Sequence, residues 1–341
     1  MRISWLAVFA VCMSLCQFPA QQAAAEANYP SRSILIIIAA STGGGTDLSS
    51  RVLADALEPL LGQKIGILNK PGGGGAEGLV ELAKAAPDGY TLGAVFNGPL
   101  TAAPHIKKPA YSLDSFAFVA STFEADYMIC ARKDLPATGS AELVQLLRQK
   151  PLAYTYGTDG KGSSAYFAAE GLFDALGVVQ RSEGFKGSTD AVKNLFARKA
   201  DFYIGTVPPI LPQIGNGEAK CPIVLGNKAP AFAPGAATPA ALGAPGKEAT
   251  LWRMILAPKG LAEDRAGKLQ AAIGKAMASP AVQAFLAAEN ERAAVKNGPE
   301  VEARLRQEFA VNGEIADRLL LATEQPDPPA NLNASNKRST P

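Results

Sequence analysis

The chain has 341 residues, 48% hydrophobic by type and 19% charged, with a formal net charge of +2. Near-neutral charge gives no electrostatic case for nucleic acid or an anionic membrane face. A single histidine excludes a histidine metal cluster.

Residues 1–27 read as a secretory signal peptide. Arg2 is the early charge, Trp5 to Phe18 is mostly apolar, and Ala23-Ala24-Ala25 offers small residues for cleavage near Ala27. The apolar core is short for a transmembrane helix, and Leu15 before Cys16 is bulkier than a lipoprotein site tolerates. Cleavage removes one Arg and one Glu and leaves about 310 residues, an exported, soluble chain larger than one comfortable core. Two domains are expected.

Ile34 to Ala40 is an apolar strand, and Ser41-Thr-Gly-Gly-Gly-Thr-Asp47 a glycine turn. Leu48, Val52, Ala56, Leu57 and Leu60 then recur at helical spacing. A strand, a loop without side-chain bulk and a helix N-terminus make a place that attracts anions. Lys64 to Asn69 is a second strand, Lys70-Pro-Gly-Gly-Gly-Gly75 a second glycine loop, Ala76 to Ala86 a helix and Tyr90 to Phe96 a third strand ending at Asn97-Gly98. Alternation of strands and helices predicts a parallel sheet covered on both faces, with ligands at the strands' carboxyl ends.

Phe116 to Cys130 fits a strand leaving one domain for the next. Ser140–Arg148 is a helix and Ala153–Tyr156 a strand. Gly157-Thr-Asp-Gly-Lys-Gly-Ser-Ser164 is a third glycine loop, opening a helix with Phe167, Leu172, Phe173 and Leu176. Gly184-Phe-Lys-Gly-Ser-Thr189 repeats the device before another helix. Asp201–Gly205 is a strand running to Thr206, and Lys220–Gly226 a further strand placed as the return crossing. Lys228–Gly246 is irregular, Leu251–Ala257 a strand, and Ala262–Met277, Pro280–Ala288 and Pro299–Leu321 helices. From Glu324 the Pro/Asn/Ser tail has nothing to bury.

Gly73-x-Gly75-x-x-Gly78 matches the dinucleotide fingerprint, but it does not follow the first strand and lacks the acidic residue about twenty positions on. Ser163 stands where a phosphate loop needs lysine. Nucleotide binding is set aside. Enzyme chemistry also has little material. His105, between Pro104 and Lys107-Lys108, reads as a solvated surface residue. Ser163-Ser164 lacks a nucleophile elbow, and the acids show no pairing for acid–base work. Asp47 reads as a helix-start residue, and Lys186 as either solvated or ligand-facing. Arg253, in an apolar strand, suits a bidentate carboxylate contact or an interdomain ion pair. Cys130 and Cys221, left after cleavage, form a disulfide or remain two buried thiols.

Together these segments resemble the substrate-binding receptors of tripartite tricarboxylate transporters, the Bug receptors. The matching stretches are Tyr29-Pro-Ser-Arg, Thr42-Gly-Gly-Gly-Thr-Asp47, Leu68-Asn-Lys-Pro-Gly-Gly-Gly-Gly75, Ala86-Pro-Asp-Gly-Tyr-Thr-Leu92, Gly160-Lys-Gly-Ser-Ser164, Phe185-Lys-Gly-Ser188 and Ala257-Pro-Lys-Gly260. The resemblance implies an α/β, two-lobed periplasmic binding protein of type II-like form, two doubly wound sheets joined by crossing hinge strands. Domain 1 would hold 28–125 and 226–323, domain 2 126–225, and 324–341 would be a disordered tail.

The implied function is a periplasmic monomer without cofactor, metal or catalysis. It would close over a small organic carboxylate in an interdomain cleft and deliver it to membrane permease subunits. A carboxylate-sensing subunit that signals to a membrane partner is the alternative. By placement the resemblance nominates Ser41, Thr42, Gly44, Gly45 and Asp47 with Asn97 and Gly98. It further nominates Ser163, Ser164, Phe185, Lys186, Gly187, Ser188 and Thr206, with Arg253 added from its unusual setting. Thr42 replaces the family's loop proline, Tyr166 a frequent histidine and Phe185 a tyrosine. Tyr166, Phe185 and Arg253 point to an aromatic or longer-chain acid in place of citrate.

Overall fold

The strands and helices expected from pattern form where the apolar residues recur. The computed structural model describes residues 29–137 and 139–319. In chain order it runs β1 (Ile34–Ile38), α1 (Gly45–Leu61), β2 (Ile65–Asn69), α2 (Ala76–Lys84), β3 (Thr91–Phe96), β4 (Phe116–Arg132), α3 (Ser140–Gln149), β5 (Thr155–Thr158), α4 (Ser164–Ala175), β6 (Arg181–Gly184), α5 (Ser188–Phe196), β7 (Phe202–Thr206), β8 (Ala219–Val224), β9 (Thr250–Pro258), α6 (Glu263–Met277), α7 (Pro280–Glu289), β10 (Arg292–Ala293) and α8 (Gly298–Arg318). The signal-peptide and tail expectations, 1–27 and 324–341, lie outside the described residues.

The chain divides into two compact units. Within the described residues the first holds 29–96, 111–125 and 252–304, the second 97–110, 126–251 and 305–319. In the first unit β1 pairs in parallel with β2 and β3, Ile36 standing opposite Ile67 and Leu92. The run Ile34–Ile38 lacks polar alternation because a central parallel strand is covered on both faces. Ile34, Ile36 and Ile38 pack with Leu53 and Leu57 of α1, Leu269 and Ile273 of α6 and Val282 and Leu286 of α7. Each such side chain contributes about 1.5–3 kcal/mol when fully buried. β9 closes onto β3 antiparallel, Val95 opposite Met254, and β10 pairs antiparallel with Phe123 and Glu124 of β4.

In the second unit β7 lies antiparallel to the far half of β4, Ile129 opposite Ile204, and β5 lies parallel to β7 and β6. β8 also pairs antiparallel with β4, Ile129 opposite Ile223. Cys130 and Cys221 form a disulfide between these two strands, closing a sequence separation of 91. One core gathers Tyr156, Phe167, Leu172, Phe173 and Phe202; another gathers Met128, Val192, Leu195 and Tyr203.

Two expectations need correction. Lys220–Gly226 is not the return crossing: β8 stays in the second unit, and the chain returns through β9, whose Thr250 and Leu251 belong to the second unit and whose Trp252 onward belongs to the first. Unlike the expected division, 97–110, 226–251 and 305–319 join the second unit. Their apolar residues explain it, since Ala102, Leu251, Ile315 and Ala316 pack into the core around Phe167.

Candidate functional site

β1, β2 and β3 are parallel, so their carboxyl ends share one edge of the first unit's sheet. The Ser41–Gly45 turn stands there, exposed throughout. It closes through the Gly44 N–H, which donates to Ser41 O at 3.2 Å. Gly43 has φ +78, left-handed backbone that glycine adopts without strain. α1 then begins at Gly45 with no side chain capping it, so its first N–H groups have no partner inside the helix.

Asp47 holds this turn from behind, its carboxylate bonded to the turn's own backbone and to Asn69. Oδ2 accepts the Gly43 N–H at 2.8 Å, and Oδ1 accepts Arg51 Nε and Asn69 Nδ2, both at 2.9 Å. Asn69 Nδ2 also donates to Ala40 O. Burial by itself would raise the Asp47 carboxyl, but the hydrogen bonds from Arg51, Gly43 and Asn69, with the Arg51 charge, hold it below the ordinary value. Asp47 is 1% exposed. Its carboxylate is taken up by these donors and fixes the turn's backbone.

Arg253 is also turned inward. Its Nη1 donates to Glu291 Oε2 at 2.6 Å, and Nε donates to Thr46 Oγ1 at 3.2 Å. Both side chains of the ion pair are buried. A Cβ built on Gly45 would lie 2.8 Å from Arg253 Nη2, so the guanidinium backs the turn. Of the two contacts read for Arg253, a ligand carboxylate or an interdomain ion pair, the structure shows an ion pair, and it lies inside the first unit. The second glycine loop is filled by its own chain: Glu77 occupies the space where a Cβ on Gly72 would stand.

Asn97 and Gly98 follow β3 but belong to the second unit and are buried. Asn97 Nδ2 donates to Thr250 O at 3.2 Å and to Glu308 Oε2 at 3.1 Å.

In the second unit, Ser163 caps α4, its Oγ accepting the Tyr166 N–H at 3.2 Å. Ser164 Oγ, buried, faces the Tyr127 phenol without completing a hydrogen bond. Tyr203 donates its hydroxyl to Thr206 O at 2.9 Å and lies beside Ser188. Asp159 acts electrostatically on both tyrosines. Ser164 stands at the Tyr127 phenol, Ser188 and the Thr206 carbonyl stand at the Tyr203 phenol, and Ser163 acts on Asp159; burial raises the pKa of both phenols. Sequence reasoning missed Tyr127, Tyr203 and Asp159. The tyrosines look like ordinary strand aromatics; Asp159, an acid standing beside a glycine at a strand's end, carried a signal.

Phe185 is half-buried against Gly157, Lys186 is exposed with its N–H on Asp190 Oδ2, and Gly187 adopts φ +137 as α5 begins. Tyr166 is 4% exposed within the core. With Arg253 engaged by Glu291 and Tyr166 in the core, Phe185 is left to support the aromatic-acid expectation.

His105 departs from the solvated residue expected. Its ring lies 4.3 Å from that of Phe309, and Nε2 is buried without a partner. Burial pushes the imidazole below its ordinary value, outweighing the Phe309 backbone contact and Asp317. Among the described residues no helix is long and apolar enough to cross a membrane, and no cluster of three or more His, Cys, Asp or Glu side chains could hold a metal.

The model of the tripartite tricarboxylate transporter family receptor matches residues 49–318. A UPF0065 protein of Bordetella pertussis is 31% identical over 260 residues, covering 76% of this chain and 80% of the relative. The solved structure of the periplasmic binding protein BugD superposes with a TM-score of 0.74 at 26% identity, covering 87% of this chain and 100% of that one. MatC from Rhodopseudomonas palustris, solved with bound malate, gives 0.71 at 25% identity, covering 84% and 100%.

Proposed function

Because the chain belongs to the tripartite tricarboxylate transporter receptor family, we propose that it is an exported solute receptor that binds a small organic carboxylate and delivers it to a tripartite membrane transporter. The observation that carries this reading is the Ser41–Gly45 turn: an exposed, side-chain-poor loop at the start of a 17-residue helix, with Asp47 and Arg253 withdrawn into its support. Such an edge offers N–H donors and the positive end of a helix dipole to an anion. In the second unit, taken by itself, Ser163, Ser164, Ser188 and Thr206 add hydroxyls, and no nucleophile–base pair stands among them. The relative MatC is described with malate bound, which favours the carboxylate class. The disulfide fits an oxidising compartment such as the periplasm.

Binding must stabilise the folded state by mass action, by about 2.7 kcal/mol at a hundredfold excess over Kd. A thermal-shift panel of aliphatic and aromatic mono-, di- and tricarboxylates tests the reading on the purified mature protein. A cognate acid should raise the melting temperature, and substitutions in the Ser41–Gly45 turn or at Ser163 and Ser164 should weaken the same acid. A silent panel refutes the proposal.

A further inference from the structure

Asp47 and Asp159 stand in comparable places, each beside a glycine loop that leads into a helix, but their surroundings are opposite. Asp47 receives three kinds of donor: a backbone N–H, an amide and a guanidinium. Asp159 Oδ1 is buried and has no hydrogen-bond partner. The Ser163 hydroxyl and the residue's own N–H favour its charged form, yet burial outweighs them and raises the carboxyl above its ordinary value. The groups acting on it are hydroxyls: Ser163 on the loop, with the phenols of Tyr127 on β4 and Tyr203 on β7. No cation is among them within the described residues. A second carboxylate, Glu308 on α8, acts on Tyr127 as well. Buried carboxylates that serve structure are paired or fully hydrogen-bonded, as Asp47 is. Farther along the same loop, Ser164 is 9% exposed and its Oγ also lacks a partner.

We infer that Asp159 accepts a charged hydrogen-bond donor from the solute, so that the ligand is a carboxylate that also carries an ammonium group. The inference rests on the solute-receptor reading above and narrows its ligand. A plain dicarboxylate would bring a like charge toward Asp159 and leave Oδ1 without a donor. An ammonium supplies both the donor and the missing charge, and its neighbouring hydroxyls accept its remaining N–H bonds. No bond is made or broken; the charge is matched on binding.

The test uses the mature protein, its Asp159→Asn variant and calorimetric titration with acids that differ only at the far end: butanoate, 4-hydroxybutanoate, 4-aminobutanoate and butanedioate, with the corresponding five- and six-carbon series. At one chain length the amino acid should bind at least tenfold tighter than the matched dicarboxylate. Asp159→Asn, which keeps the shape and removes the charge, should erase that preference. The ligand-free variant should melt no lower than the parent, because a carboxylate whose Oδ1 lacks a partner is gone; a clear drop assigns Asp159 to structure and overturns the inference. Tighter dicarboxylate binding, particularly with affinity falling as pH rises and that dependence lost in Asp159→Asn, means a protonated Asp159 donates to the ligand. That also overturns it while leaving the receptor intact. Silence of every amino acid in the series overturns it too, and silence of the full carboxylate panel removes the receptor reading itself.

Discussion

Gly44 holds extended backbone, φ −80 and ψ 163, which any L-residue adopts. A Cβ there would lie 3.3 Å from Ser41 O, a close but local contact. A valine therefore fits the fold while its methyl groups fill the space over the first N–H donors of α1. Gly44→Val should lose carboxylate binding by more than tenfold, with stability changed by no more than about 1 kcal/mol, as for surface substitutions away from the core; parallel titration and urea melts check both halves. Arg253 predicts the reverse pattern. Arg253→Met leaves Glu291 buried without its partner, a change that costs about 3–5 kcal/mol. Arg253→Met combined with Glu291→Leu should recover most of that loss, because two apolar groups replace two charges. A urea double-mutant cycle reads the coupling; additive losses would mean the pair is not a unit.

Elements show what local pattern specifies and where it stops. The helix expected over Pro299–Leu321 forms as Gly298–Arg318, with Val301, Leu305, Phe309 and Ile315 at helical spacing. Periodicity does not say which core a face meets, and here the answer changes along the helix: its first residues belong to the first unit, while Ile315 and Ala316 pack into the second. The same limit made β8 look like the return strand, since a short apolar run carries no label for its partner. The glycine turns were legible because special backbone and missing side chains leave a direct mark in sequence. The phenols of Tyr127 and Tyr203 were not, because strand alternation gives the same signal for a core aromatic and for a rim hydroxyl. His105 was misread for a related reason: its basic neighbours suggested solvent, but α8 covers it. The Phe309 ring lies tilted against it, and Gly313 lies close enough that a Cβ there would stand 3.2 Å from the imidazole. This contact has a pH consequence. The folded pKa lies below the ordinary 6.5, so the unfolded chain takes up the proton first. The stability from the neutral ring is complete above about pH 6.5 and is lost as pH falls from there through the depressed folded value. His105→Gln should flatten that part of the stability-against-pH curve, measured by urea melts between about pH 7.5 and 4.5. An unchanged slope would assign the loss to other groups.

At the scale of the molecule, two strands pass from one unit to the other within their own length: β4 leads out of the first after Ala125, and β9 leads back at Trp252; the chain also passes at 96/97, 110/111 and, within α8, at 304/305. The disulfide ties β8 to β4 inside the second unit. It therefore closes a loop made wholly of that unit's chain, and its benefit should fall there. For a loop of this length, constraint of the unfolded chain is worth about 4–5 kcal/mol in the entropic model. The units have separate cores, one around Ile36 and Leu57 and others around Phe167 and Tyr203. Cooperative openings follow such cores. Replacing both cysteines by alanine should then raise amide exchange in β7, β8 and the far half of β4, while β1, β2 and β3 keep their protection. Carboxylate binding should weaken as well, because the affected strands carry Tyr127, Tyr203 and Thr206. If protection instead falls equally in β1 and β8, the two units unfold as one, and the disulfide stabilises the whole chain rather than the rim it lies behind.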